Sequence, residues 1–143
     1  MDLVLRRLHD VAREIDEDDL QPLLCSFKCS MEPASENFLR NVALGHEKND
    51  ISRTYLFLEK TNSDVNTIKG FFTVAVKCLA IGEHHCIPDG ISRQMNIDRG
   101  IAQSYLLGQL AKADGAEKGF GREMISRALG IFSKNNEMVG CRV

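Results

Sequence analysis

Val4, Leu8, Val11 and Ile15 follow one another at spacings of four, three and four, which puts them on one stripe and predicts an amphipathic helix that runs out at Asp16-Glu17-Asp18-Asp19. Residues 20–29 are apolar enough for a strand, and Pro22 sets that strand at a sheet edge. Cys25 and Cys29 would then share one face of it and pack in the core. Pro33 and Ser35 punctuate the chain before Phe38, Leu39, Val42 and Ala43, a short helical face with its stop at Gly45. Tyr55-Leu56-Phe57-Leu58 reads as a strand, residues 61–66 as a turn, and residues 67–81 as a longer strand, together an antiparallel hairpin. Residues 82–100 have little periodicity and read as a loop facing substrate. A strand over 102–111 follows, then a helix over 118–132 with Phe120, Met124, Ile125, Ala128 and Phe132 on one face. Residues 139–143 read as the start of another strand.

Composition narrows the class. With 143 residues, 43% of them apolar, the chain is the size of one domain around one core. No apolar run reaches the roughly 20 residues that span a bilayer, and the charges of Arg6 and Arg7 follow the short apolar start, the reverse of a secretory signal. A soluble, cytoplasmic protein with no membrane partner is expected. Five cysteines without paired short spacings fit reduced thiols. The formal charge of -2 supplies no general footprint for a nucleic-acid backbone. His84-His85-Cys86 lacks the distributed spacing of a metal site, and no metal is expected.

The candidate chemistry lies between the strand over 102–111 and the helix after it. Gly119 and Gly121 stand at a helix start, where unpaired backbone amides and the positive end of the macrodipole meet. Glycines there let a phosphate approach the backbone, and Lys118 and Arg122 add positive charge. Basic residues at a helix N-terminus are unfavourable with the macrodipole, so their presence favours a nearby anion. A Walker loop is excluded because Gly121 is followed by Arg122-Glu123. A dinucleotide fingerprint is excluded because Met124 stands where a third glycine belongs. An ordinary loop-to-helix junction remains the alternative, since Gly-x-Gly is common.

The stretch Ala116-Glu117-Lys118-Gly119-Phe120-Gly121 resembles the cofactor motif Gln/Arg-x-x-Gly-x-Gly/Ala of the GNAT superfamily of N-acetyltransferases, matching both glycines and departing at Ala116. The order of elements over residues 20–143 resembles the family's as well. The resemblance implies an α/β fold, a central mixed, mostly antiparallel sheet flanked by helices, in a single domain over residues 1–143. It implies acetyl-CoA as co-substrate, its pyrophosphate at Lys118, Gly119, Phe120, Gly121 and Arg122 and its pantetheine arm along Leu110, Ala111 and Lys112. Family members continue past the strand expected at Val139 into a helix and two strands, so the chain is expected to lack that part of the fold.

The chemistry implied is direct attack of a primary amine on the thioester, with strand amides polarising the carbonyl. The acceptor is a small amine, a protein amine or an aminoacyl-tRNA, the near-neutral charge leaning against the last. A homodimer is compatible with the resemblance. Glu83, His84, His85 and Tyr105 are the candidates for the base, with none of them singled out. The alternative function is a non-catalytic CoA-binding or regulatory protein on the same fold.

Overall fold

The computed structural model describes residues 3–61, 66–80 and 101–140. In chain order the elements are strand β1 (Leu3–Arg7), helices α1 (Leu8–Glu14), α2 (Glu17–Ser26), α3 (Pro33–Asn41) and α4 (Ala43–Lys48), strands β2 (Arg53–Lys60), β3 (Asn66–Ala80) and β4 (Ile101–Lys112), and helix α5 (Phe120–Val139). The strands form one antiparallel sheet in the order β1-β2-β3-β4. No helix among the described residues is long and apolar enough to cross a membrane.

Helices cover both faces. On one, α1 to α4 bury Leu8, Leu24, Leu39 and Ala43 against Leu56 and Phe71. On the other, α5 lays Phe120, Met124 and Ala128 over Phe57 and Phe72. Two bulges adjust these faces. The β2–β3 pairing passes from Phe57–Gly70 to Leu58–Ile68, so β3 carries an extra residue at Lys69. The β3–β4 pairing passes from Phe72–Leu110 to Val74–Leu107, so β4 carries an extra residue across Gly108 and Gln109. The second bulge lets Leu107 and Leu110, three apart, both pack under α5.

Several expectations are corrected. The expected first helix begins as β1: Val4 is 48% exposed on the edge strand, and only Leu8, Val11 and Ile15 of the stripe face the core. Pairing Leu3 to Arg7 with Tyr55 to Glu59 outweighs the helical period there. Residues 20–29 are no strand. Glu17, Asp18 and Asp19 form the acidic first turn of α2, which suits its macrodipole, and Leu20 and Leu24 are buried one turn apart. Pro22 sits inside this helix. Cys25 is consequently exposed on α2, while Cys29 is buried in the loop beyond it. Glu14, the last residue of α1, pairs with Arg6 of β1.

Gly45 does not stop a helix; the break falls at Val42, between α3 and α4. Ile125 is 42% exposed, off the buried face of α5. Val139 ends α5 instead of opening a strand, and Gly140 follows with φ +78. The hairpin β2–β3 and the strand β4 are as expected. Readings that fall on residues 62–65, 81–100 and 141–143, including Glu83, His84, His85, Cys86 and Cys141, lie outside the described residues.

Gly70 decides how closely α5 can approach the sheet. A Cβ there would meet Met124 Cε and Phe120 Cε1 at 2.9 Å and the Ala111 carbonyl oxygen at 3.1 Å. The methionine end can move; the ring and the backbone oxygen have less freedom. Gly70→Val is therefore expected to lower stability by about 2 kcal/mol through overpacking, read as a lower urea midpoint at unchanged slope.

Candidate functional site

Strand β4 ends at Lys112, and the chain turns through seven residues before α5. This turn is tied down at several points. The Ala113 amide donates to the Lys69 carbonyl at 2.8 Å, and the Asp114 amide to the Lys28 carbonyl at 2.8 Å. The Asp114 carboxylate accepts from the Ser30 amide at 2.9 Å and the Ser30 hydroxyl at 2.6 Å. Those bonds hold its carboxyl below the usual aspartate range. The turn's exit needs glycine: Gly119 caps α5 with φ 91 and ψ -10, the left-handed region where a side chain is strained.

At the helix start, the Phe120 amide bonds back to the Glu117 carbonyl at 3.2 Å and the Arg122 amide to the Gly119 carbonyl at 3.1 Å. The first amides of a helix have no partner in its ladder, so that of Gly121 is left to other acceptors. In front of this turn lies a cavity of about 280 Å³, bounded by the segment from Gly115 to Phe120 together with Leu3, Lys69 and Glu123. Lys69 and Lys118 bring positive charge to it, and Glu117 and Glu123 bring negative charge. Lys69 also pairs with Glu59, Nζ to Oε2 at 3.1 Å.

The expected cofactor residues divide on this geometry. Lys118, Gly119 and Phe120 line the cavity together. Gly121 and Arg122 occupy the same first turn of α5 but do not line the cavity. Leu110 is half-buried beneath α5, Ala111 is buried on the opposite face of the sheet, and Lys112 is exposed at the strand end. The side chains of Leu110 and Ala111 belong to the core, so any contact they make with a ligand runs through their backbone. Among the described residues β4 is the last strand of the sheet, which leaves the backbone groups of its outer edge unpaired within it.

Lys69, Leu3 and Glu123 were missed by sequence reasoning. The signal for Lys69 is the bulge that turns it outward, which only strand pairing reveals. Of the base candidates, Tyr105 is described: its hydroxyl accepts from Asn135 Nδ2 at 3.0 Å and its ring stacks on Phe132 with centroids 5.0 Å apart. It lines a separate cavity under the C-terminal half of α5, away from the glycine turn.

A further cavity, of about 360 Å³, opens on the α3–α4 side of β3 and β4, where Gly108 and Gln109 form the bulge. The Gln109 amide donates to Thr73 Oγ1 at 2.7 Å, and its side-chain oxygen accepts from Ser35 Oγ at 2.8 Å. His46 of α4 also lines this cavity, a residue that no motif or periodicity singles out.

No protein-family model and no curated protein matches the sequence. Solved structures do. A mutant of the toxin AtaT bound to acetyl-CoA and the C-terminus of the antitoxin AtaR matches with a TM-score of 0.70 at 20% identity, over 99% of this chain and 72% of that one. A mutant of KacT matches with a TM-score of 0.71 at 19% identity, over 99% and 75%. AtaT complexed with acetyl-methionyl-tRNAfMet matches with a TM-score of 0.68 at 25% identity, over 98% and 74%. The likeness is one of fold, and it runs through nearly all of this chain.

Proposed function

We propose that this chain, which has the antiparallel sheet and flanking helices of the GNAT fold, is a single acyltransferase domain that moves an acetyl group from acetyl-CoA to a primary amine. The observation that carries the reading is the cavity at Gly115 to Phe120, closed on one side by a helix start and bounded by the turn that follows β4. The free amide at the start of α5, with Lys118 beside it, suits a pyrophosphate. The amide groups of a pantetheine arm suit an unpaired strand edge running back from Lys112. Gly121 and Arg122 serve the phosphates through the first turn, and Leu110, Ala111 and Lys112 serve the arm through their backbone.

For the acceptor we favour the α-amine of an aminoacyl-tRNA, because a protein of this fold has been solved with acetyl-methionyl-tRNAfMet. An α-amine also loses its proton nearer neutral pH than a lysine side chain does. In the reaction the amine nitrogen attacks the thioester carbonyl carbon, the C–N bond forms, the C–S bond breaks and the CoA thiolate leaves. No covalent enzyme intermediate is required.

Gly121→Glu tests the cofactor site. A Cβ at Gly121 meets nothing within 4 Å, and an acidic residue in a helix's first turn is favourable, so the fold is expected to stand. A carboxylate among the phosphates is expected to weaken acetyl-CoA binding by about 30-fold, roughly 2 kcal/mol, in calorimetry with an adenine nucleotide as control. Unchanged affinity would move the site elsewhere. Binding without transfer to any amine would favour the non-catalytic alternative.

A further inference from the structure

We infer that the cavity between α3, α4 and the β4 bulge receives the acceptor amine, and that His46 takes the proton the amine loses. This inference rests on the proposed acetyl-CoA site. It starts from reach. Strand residues rise about 3.3 Å each, so Gly108 lies about 13 Å along β4 from Lys112. A pantetheine arm extends about as far as five residues of extended chain. An arm that begins at the glycine turn and follows β4 thus delivers its thioester close to Gly108 and Gln109. Those two residues line the α3–α4 cavity and do not line the cavity under α5.

The bulge and its surroundings are held firmly. Gln109 is bound through its amide to Thr73 and through its side chain to Ser35, which is buried. Gly108 admits close packing, since a Cβ there would stand 2.8 Å from Thr73 Oγ1. Across the cavity, the His46 ring meets the Phe38 ring edge-on with centroids 5.4 Å apart, and its Nδ1 lies 3.2 Å from Ser52 Oγ. In the tautomer whose Nδ1–H donates to Ser52 Oγ, the lone pair is on Nε2, the nitrogen left for the amine. Lys77 is the only other titratable residue lining the cavity among those described, and as a cation it cannot accept a proton. Glu47, next in sequence to His46, is engaged with Thr54 and Arg53.

The proton balance closes. The neutral amine attacks, its nitrogen becomes cationic as the C–N bond forms, and His46 Nε2 takes one proton from it. The C–S bond then breaks, and the imidazolium proton passes through water to the CoA thiolate. The products are the acetylated amine and CoA thiol, with His46 neutral again.

The test uses the full chain with acetyl-CoA and two probe acceptors, methionyl-tRNA and methionine amide. His46→Ala is expected to lower kcat about 100-fold, within the usual range for a general base, and to leave acetyl-CoA affinity within twofold of wild type. Added imidazole is expected to restore part of the rate, whereas pyrazole, the same shape but a far weaker base, is not. His46→Gln, which fills the space without the basicity, is expected to be as slow as the alanine variant. A kcat within threefold of wild type, or equal rescue by pyrazole, would overturn the role of His46. Wild-type protein that binds acetyl-CoA yet acetylates neither probe would overturn the acceptor cavity while leaving the cofactor site. Failure to bind acetyl-CoA at all would overturn the proposed function and this inference with it.

Discussion

Replacing Glu47 by alanine is expected to cost the fold about 2–3 kcal/mol, because it strands a buried donor and releases the join between α4 and β2. Glu47 is 4% exposed. One of its carboxylate oxygens accepts from the Thr54 amide at 2.6 Å, and the other meets Arg53 Nη1 at 3.1 Å. Thr54 is itself fully buried, so its amide would find no water in the variant. Arg53 is less dependent, being partly exposed and paired also with Asp50. That is why the expected loss stays below the 3–5 kcal/mol typical of a fully buried broken pair. A melting temperature lower by roughly 6–12 °C would express it in a chain of this size. Glu47→Gln keeps an oxygen for Thr54 and is expected to recover more than half of the loss. An alanine variant as stable as wild type would mean that water replaces the carboxylate, and that the α4–β2 junction is more open than its burial implies.

The same junction has a consequence for the proposed chemistry. His46 precedes Glu47 on a helix of only six residues, too short to hold its own geometry. The carboxylate anchors that helix to β2 on one side, and the Phe38 and Ser52 contacts fix the imidazole on the other. Glu47→Ala is thus a way to loosen His46 without changing it.

How far the sequence could be read differs element by element, and the reasons are physical. The β2–β3 hairpin was legible because strand formers cluster at Tyr55 to Leu58 and recur after the polar turn. The helix after the glycine pair was legible because Phe120, Met124 and Ala128 repeat at four. Strand β1 was not, since Val4 happens to continue the period of Leu8 and Val11, and pairing with a strand some fifty residues away is invisible locally. Helix α2 was hidden by Pro22, which argues against a helix unless the acidic first turn is weighed against it. At the site, the backbone features of the glycine turn could be anticipated from residue types. Lys69 and His46 could not, because each reaches its cavity through a bulge or a helix break that carries no mark in composition.

Phe120 joins the core to the proposed cofactor site, so its removal is expected to affect both. Its side chain is 7% exposed, meets Phe57 edge-on with ring centroids 5.2 Å apart, and sits above Gly70. It is also the first residue of α5 and part of the cavity wall. Phe120→Ala is expected to lower stability by about 3 kcal/mol, the low end for a buried phenylalanine because its site lies at the end of the core. With the anchor gone, the first turn of α5 frays, and its amides no longer stay aimed at one point. Acetyl-CoA affinity is then expected to fall about tenfold, or 1.4 kcal/mol, in calorimetry at a temperature where the variant is folded. Phe120→Leu keeps most of the packing and is expected to lose about 1 kcal/mol of stability and little affinity. If the alanine variant loses stability but binds acetyl-CoA as before, then the left-handed turn at Gly119 and the Phe120 amide bond to Glu117 suffice to hold the helix start. The aromatic ring would then serve the core alone.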